Sequence, residues 1–165
     1  MKYRDAVILS PTDLGTAGTH DIDLSGVRQA ISRISIRFRT TKVLYNMTAP
    51  GPANIPKIEL VDGSYPVHSL TGYENQALAY YSHPGISMEH GQHIQTQSEV
   101  DLYQIDFGRY LWDPLLALVP GRLVNPHLKI QWDEDVADTS VTAKEIEVIA
   151  HLFDEKQISP QGYLR

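Results

Sequence analysis

The stretch that decides the fold is Ser32–Thr40, which reads S-R-I-S-I-R-F-R-T. Apolar residues alternate with serine and arginine, so that Ile34, Ile36 and Phe38 point to one side of an extended chain. A period of two, with β-branched and aromatic residues on one side, is typical of a strand that is buried on one face. The sequence therefore predicts a half-buried β-strand here.

Similar alternation recurs along the chain. Residues 55–70 predict a hairpin in which Asp62-Gly63 supplies the turn, because glycine adopts a positive φ without strain. Residues 102–107 and 128–132 each predict one further strand. The stretch 145–152 carries apolar residues on both sides, and we expect it to lie inside a sheet or beneath another chain.

Two segments predict helix rather than strand. Thr71 and Glu74 have capping-box spacing and good helix formers follow, so a short helix is predicted from Gly72 to Tyr81. Asp113-Pro114 is expected to open a turn of helix over residues 115–118, with proline at the favoured first helical position.

The spacing of turn residues indicates the fold class. Eleven glycines and ten prolines interrupt the 165 residues at short intervals, which excludes long helices. About eight short strands with one short inserted helix predict an all-β, antiparallel β-sandwich of jelly-roll type, favoured over an immunoglobulin-like sandwich because the chain has no cysteine pair. We expect one jelly-roll domain over residues 1–156 and a C-terminal tail or linker over residues 157–165.

Composition excludes several classes of function. The chain has no cysteine, which rules out disulfides, cysteine nucleophiles and thiolate zinc sites. The net charge of −6 is unlike that of a nucleic-acid-binding protein, whose phosphate contacts need clustered lysine and arginine. With no apolar run of 18 residues and no signal peptide pattern, we expect a soluble, non-secreted domain that does not span a membrane.

Candidate metal ligands lie in residues 82–97, a histidine-rich segment without periodicity that is expected to be a long loop. His83, His90 and His93 are the only candidates, and they fall within eleven residues. The HExxH pattern on a helix is missing, so a loop whose histidines bind nothing is the favoured interpretation, and no cofactor is expected. The acidic run at 133–138 lacks the glycine of an EF-hand loop and is expected to be a solvated turn.

Charged residues raise two further hypotheses. Asp101 and Asp106 would suit glycoside hydrolysis only if they faced each other across a cleft, and on a sandwich both are expected to point outward. Arg33, Arg37 and Arg39 form a stripe on one side of their predicted strand. The stripe is interpreted either as a contact with phosphate or anionic lipid or as an ordinary outer face or subunit contact.

Several stretches resemble, in their order, a known family. They are D-I-D-L at 21–24 followed by I-S-I-R at 34–37, then 57–64, 68–72 and 75–81, and finally 105–111, 113–114 and 125–130. Together they resemble the jelly-roll major capsid proteins of tailless, internal-membrane-containing double-stranded-DNA viruses, the bacteriophage and adenovirus capsid lineage. The resemblance runs from about residue 18 to 153.

The resemblance implies a structural protein of the virion, made in the host cytoplasm and without catalytic activity. Such a major capsid protein subunit stands upright in pseudo-hexagonal capsomers of an icosahedral shell. It self-associates as a trimer or pseudo-hexamer, with another capsid protein as an optional partner, an internal membrane nearby and no direct contact with nucleic acid. Most members carry two barrels in one chain. This sequence carries one, so it is either a single-barrel member or the first half of a longer polypeptide.

A subunit of this kind needs interface anchors rather than a convergent polar site, and aromatic side chains serve this purpose. The chain has nine tyrosines, some of which will lie in the core. The candidates for interface anchors are Tyr73, Tyr80, Tyr81, Tyr103 and Tyr110.

Two alternatives stay open. A jelly-roll carbohydrate-binding module would need Trp112 or Trp132 exposed on a concave face, whereas Trp132 shares the side of Leu128 and Ile130, which predicts a core position. A cupin-like metal-binding protein would use the three loop histidines, although cupin ligands usually lie on inward-facing strands.

Overall fold

Eight strands form two antiparallel four-stranded sheets in the computed structural model, which describes residues 3–42, 51–82, 98–133, 141–154 and 158–164. The strands are β1 (Tyr3–Asp13), β2 (Ala17–Asp23), β3 (Ile31–Lys42), β4 (Lys57–Asp62), β5 (Tyr65–Leu70), β6 (Ser98–Asp106), β7 (Pro126–Asp133) and β8 (Val141–Phe153). The helix α1 (Gly72–Ser82) lies between β5 and β6, and two short 3-10 helices span Gly51–Asn54 and Pro120–Arg122.

The strand order is that of a jelly roll. The first sheet has the order β1-β8-β3-β6 and the second has the order β2-β7-β4-β5, so that consecutive strands alternate between the sheets except for the β4–β5 hairpin. This confirms the predicted sandwich of eight strands with one inserted helix. The edge strands are β1 and β6 in the first sheet and β2 and β5 in the second.

The core lies between the two sheets and follows the predicted alternation. Ile34, Ile36 and Phe38 of β3 are buried. Trp132 lies on the same side of β7 as Leu128, and it is 2% exposed, which confirms the predicted core position. The strand β8 pairs with β1 on one side and with β3 on the other, so it is an interior strand of the first sheet. The strand predicted at 145–152 therefore lies inside a sheet, as expected.

The predicted hairpin is also present. Asp62 pairs with Tyr65, which leaves Gly63 and Ser64 as a two-residue turn, and Gly63 has a φ of +60°. A residue with a side chain would be strained at this φ, so the glycine is required by the turn type. The prediction located the turn correctly to within one residue.

The helical turn predicted at 115–118 is wrong. The buried Asp113 carboxylate accepts hydrogen bonds from the Leu115 N–H at 3.0 Å and from Nε of Arg109 at 2.8 Å. Leu118 exchanges backbone hydrogen bonds with Ile31, and Leu116 bridges to Gly162. Because strand-type partners occupy these backbone groups, the segment is extended. The Arg109 guanidinium, together with these backbone donors, lowers the pKa of Asp113 to about 2.

The C-terminal segment, expected to be a tail or linker, packs against the sandwich over residues 158–164. The Leu164 N–H donates to the Phe107 carbonyl at 3.0 Å, and the Tyr163 ring meets the Phe107 ring edge-on at 6.4 Å. Nη1 of Arg122 donates to the Pro160 carbonyl at 2.7 Å. These contacts hold residues 158–164 against the sandwich.

Candidate interaction surface beside the helix

The helix α1 begins at the capping box that the spacing of Thr71 and Glu74 predicts. The Glu74 carboxylate accepts from the Thr71 backbone N–H at 2.8 Å and from its hydroxyl at 3.0 Å, and the Glu74 N–H donates to that hydroxyl at 3.2 Å. Bonds donated to the charged carboxylate hold the pKa of Glu74 below its ordinary value. Local bonds therefore fix where the helix starts.

Burial on α1 is inverted relative to an ordinary surface helix. Its inward side is made of small residues and amides: Gly72, Asn75, Gln76 and Ala79. Its outward side carries large side chains that are 49–78% exposed: Tyr73, Leu78, Tyr80 and Tyr81. A surface helix normally turns its apolar stripe toward the core. Tyrosine is enriched at the contacts that proteins make with one another.

Asn75 attaches α1 to the edge of the first sheet. Its side chain is fully buried, and its Oδ1 accepts the Gln104 backbone N–H of β6 at 3.0 Å. The backbone N–H of Gln104 needs an acceptor, so the oxygen of the Asn75 amide must point toward it. The amide nitrogen Nδ2 of Asn75 then points the other way and lies 3.2 Å from Nε2 of His68 on β5. Nε2 of His68 is therefore the acceptor, which requires a neutral imidazole. Burial lowers the pKa of His68, which is consistent with this.

A groove of about 410 Å³ lies between α1, the end of β6 and the C-terminal segment. Val67, Ile105 and Phe107 supply buried apolar lining, and the half-exposed Leu78 and Leu164 line it as well. Apolar lining with few polar groups is typical of binding pockets. The groove and the exposed face of α1 adjoin each other, because Leu78 belongs to both.

Gln104 contributes an unusual polar group to this groove. The residue is 8% exposed and lines the groove, and its Oε1 has no hydrogen-bond partner among the described residues. This oxygen has almost no accessible surface, and a buried carbonyl oxygen without a donor costs free energy.

The arginine stripe is neutralised by acidic residues. Each arginine is ion-paired across the first sheet: Arg33 with Asp106, Arg37 with Glu147 at 3.4 Å, and Arg39 with Glu145 at 3.7 Å. Compensated charges attract phosphate weakly. The geometry favours the outer-face or subunit-contact interpretation of the stripe over a phosphate or lipid site.

Asp101 and Asp106 do not form a facing carboxylate pair. Asp101 pairs in register with Phe38 and is buried on the core side of β6 beside Gly51, so the prediction that it points outward is wrong. Asp106 lies on the opposite face of β6, where it pairs with Arg33. Five residues of separation on a strand place the two side chains on opposite sides.

A hydrogen-bonded network crosses the outer face of the first sheet. Nδ1 of His151 lies 2.6 Å from Oδ1 of Asp5, and its Nε2 lies 2.9 Å from Oγ of Ser35. Asp5, His151 and Ser35 are linked in the same order as the catalytic triad of a serine hydrolase. Ser35, however, is nearly buried and does not line the groove. The network joins β1, β8 and β3. Asp21 and His127, 2.6 Å apart, join β2 to β7 in the same way.

The two tryptophans offer little surface for a sugar ring. Trp132 is buried in the core. Trp112 stacks on Tyr3 with ring centroids 4.3 Å apart and meets Phe153 edge-on at 5.6 Å. The carbohydrate-binding alternative needs an accessible tryptophan face, and one face of Trp112 is covered.

The candidate histidines of the cupin-like alternative, His83, His90 and His93, lie outside the described residues. Within the described residues no group of three histidine or acidic side chains is placed to hold a metal ion. The acidic run at 133–138 is described only at Asp133. In the described part of the chain no helix is both long and apolar enough to cross a membrane.

Sequence reasoning found α1 and its exposed tyrosines but missed the roles of Asn75 and Gln104. The capping box located the helix, whereas the inward position of Asn75 and Gln104 depends on the neighbouring strands. The available signal was that tyrosines and amides share one short helix without a clear apolar stripe. Of the five tyrosines predicted as interface anchors, four are exposed and Tyr103 lies in the core.

Comparison with known proteins identifies the fold. No protein-family model matches the sequence, and no curated protein matches it. Among solved structures, the STIV MCP is similar with a TM-score of 0.68 over 93% of this chain and 49% of that chain. The major capsid protein P2 from bacteriophage PM2 has a TM-score of 0.64, over 96% of this chain and 53% of the P2 chain. PBCV-1 VP54, fitted into a reconstruction of the virophage Sputnik, has a TM-score of 0.60, over 94% of this chain and 44% of the VP54 chain.

Sequence identity to each of these three chains is 13%, and this chain spans about half of their length. Agreement over more than nine-tenths of this chain at such low identity is agreement of fold. The chain therefore has the jelly-roll fold of the viral major capsid proteins that its sequence resembles.

Proposed function

We propose that this protein is a structural subunit of a viral capsid, which acts by self-association and carries out no catalysis. The observation that carries the proposal is the jelly-roll fold, whose similarity to the solved capsid proteins extends over 93–96% of this chain. The exposed tyrosines of α1 support it, because a subunit that works by assembly needs aromatic anchors on its surface.

The assembly unit we propose is a pseudo-hexagonal capsomer of an icosahedral shell, located in the virion. The solved chains are about twice as long as this one. One barrel would therefore need further copies of itself, or a second barrel in a partner chain, to surround the capsomer axis. Closed rings of this kind require head-to-tail contacts between unlike surfaces.

The surroundings of the subunit follow from the same proposal. An internal membrane would lie near the shell without any segment of the described chain crossing it. The net charge of −6 disfavours direct binding to the viral nucleic acid, whose phosphates would repel it. Synthesis in the host cytoplasm belongs to the same proposal.

Electron microscopy of the purified, concentrated protein tests the proposal. We expect particles with a central axis and a three-fold or six-fold outline. Featureless particles of the size of one barrel at every concentration would contradict it. Glycan binding under the same conditions, with no assembly, would favour the carbohydrate-binding alternative instead.

A further inference from the structure

The first strand, β1, buries little of itself against the sandwich. None of its eleven residues is buried, and it pairs with β8 at the edge of the first sheet. The pairing is continuous from Tyr3 to Val7, and two irregularities of register follow before Thr12. A segment with so little buried apolar surface opens at a low cost in free energy. β1 therefore has the features of a strand that opens by itself while the rest of the sandwich stays folded.

One end of β1 is held by aromatic rings. The Tyr3 ring stacks on the Trp112 ring with centroids 4.3 Å apart, and it meets the ring of its pairing partner Phe153 edge-on at 5.7 Å. Trp112 also meets Phe153 and His151 edge-on, at 5.6 and 6.0 Å. Such ring pairs attract each other beyond the effect of burying their area. Four rings from β1, β8 and the segment after β6 therefore meet at the first residues of β1.

Trp112 carries backbone strain at this contact. Its φ is +70°, and among the described residues no other residue except glycine has a positive φ. This left-handed conformation crowds Cβ against the backbone and is a genuine outlier for a bulky side chain. Strain of this kind persists only where the surrounding structure imposes it, and it is concentrated at functional sites and switch regions.

Fixed groups on both sides of Trp112 impose the strain. The Trp112 N–H donates to Oγ of the buried Ser32 at 2.7 Å. The next residue, Asp113, is fully buried, and its carboxylate accepts from Nε of Arg109 at 2.8 Å and from the Leu115 N–H at 3.0 Å. The body of the sandwich therefore holds the strained residue in place, and the Trp112 ring offers Tyr3 a fixed surface.

We propose that β1 is a detachable edge strand and that Trp112 is the clamp that keeps it on the sheet by stacking on Tyr3. The clamp lies at the continuously paired end of β1, where Asp5 also bonds to His151 at 2.6 Å. Release of β1 would turn β8 into an edge strand with unpaired N–H and C=O groups. This is a property of a single chain, so it does not rest on the proposed function.

Hydrogen exchange measured by mass spectrometry tests whether β1 opens by itself. After correction for intrinsic rates, we expect the β1 amides to be protected at least about tenfold less than those of β3, because local opening costs less than unfolding of the sandwich. Equal protection of β1 and β3 would mean that β1 opens only with the whole protein, and it would overturn the proposal.

A variant far from β1 separates local opening from global unfolding. The side chain of Asn75 bonds to β6 and β5, and these bonds remain when β1 detaches. We therefore expect Asn75→Ala to accelerate the exchange of β3 and to leave that of β1 unchanged. Equal acceleration of both strands would contradict a detachable β1.

Two substitutions in the stacked pair test the clamp. We expect Tyr3→Ala and Trp112→Gly each to accelerate the exchange of β1 by at least about tenfold, because each removes one ring of the stack. Glycine is chosen at position 112 because it accepts a φ of +70° without strain, so the loop keeps its path. Tyr110→Ala is the matched control, since Tyr110 lies in the same segment and is 53% exposed. It should leave the exchange of β1 unchanged.

A double-mutant cycle assigns the partner of Tyr3. In the Trp112→Gly background only the contact with Phe153 remains for Tyr3 to lose, so Tyr3→Ala should accelerate the exchange of β1 less than it does in the wild type. Equal effects of Tyr3→Ala in the two backgrounds, or no effect of Tyr3→Ala in the wild type, would overturn the assignment of Trp112 as the clamp.

Discussion

At the scale of single residues, one amide organises the contact between the helix and the two sheets. Asn75 accepts from β6 with its oxygen and donates to His68 of β5 with its nitrogen. It therefore covers an edge strand, which would otherwise offer a free N–H to another chain. A hydrophobic residue at this helix position could pack there but could not make either bond.

We expect Asn75→Ala to lower the free energy of unfolding by about 1–3 kcal/mol, because it leaves the buried Gln104 N–H without an acceptor. Urea denaturation measures this change. Gln76→Ala is the control, since Gln76 is a buried amide on the same face and its Nε2 has no partner among the described residues. An Asn75→Ala loss no larger than that of Gln76→Ala would contradict the bonding described.

His68 makes the stability of the protein depend on pH. Burial lowers its pKa in the folded state below the ordinary value of 6.5, so the unfolded chain binds a proton more readily than the folded one. This contribution to stability is present above pH 6.5 and is lost as the pH falls toward the lowered pKa. Protonation would also place an N–H donor of His68 opposite the Nδ2 donor of Asn75, and the hydrogen bond between them would be lost.

The measurement is urea denaturation of the wild type and His68→Gln at pH 7.5 and pH 5. We expect the wild type to lose more stability than His68→Gln between these two values, because glutamine does not titrate and still offers an oxygen to Asn75. The same loss in both proteins would show that His68 is not the group responsible.

At the scale of elements, α1 is held by close approach as well as by hydrogen bonds. Gly72 lies against the Gly51–Asn54 helix, where an added Cβ would come 2.6 Å from the Pro52 carbonyl oxygen and 3.1 Å from Cβ of Ile55. Its N–H donates to the Ile55 carbonyl at 2.9 Å. Glycine is required at position 72 because there is no room for a side chain, and not because of its backbone φ.

We expect Gly72→Ala to destabilise the protein by roughly 1–3 kcal/mol, since the backbone of residues 52–55 must move to admit the methyl group. In an isolated helix the same substitution would be stabilising, so the sign of the effect is informative. Gly26→Ala is the control, because a Cβ at Gly26 meets nothing within 4 Å. A neutral or stabilising Gly72→Ala, measured by urea denaturation, would contradict the packing described.

The elements also show how far sequence reasoning reaches. Strands with strict alternation, such as β3, and the hairpin with its Asp-Gly turn could be predicted because their signals are local. The edge strands β1 and β2 were missed, since most of their residues are exposed and β1 contains Pro11 and two irregularities of register. Their existence depends on pairing with β8 and β7, which lie more than a hundred residues away.

The candidate surface could be predicted only in part, for the same reason. The tyrosines of α1 are visible in the sequence, and the capping box places them on a helix. Which side of the helix faces outward is decided by Asn75 and Gly72, whose partners lie on β6 and on the Gly51–Asn54 helix. Long-range contacts of this kind leave no periodic signal.

At the scale of the whole molecule, the two sheets pack face to face, and each sheet keeps two edge strands. Networks centred on His151 and His127 tie the edge strands β1 and β2 to their neighbours, and α1 covers part of β6. Where α1 covers β6, another chain would have to use side chains rather than add a strand.

The central claim is self-association, and the solution mass of the purified chain, measured by light scattering over a range of concentrations, tests it most directly. One chain has a mass of 18.5 kDa. We predict a mass corresponding to a closed trimer or pseudo-hexamer. A mass of 18.5 kDa that stays constant at every concentration would contradict the claim.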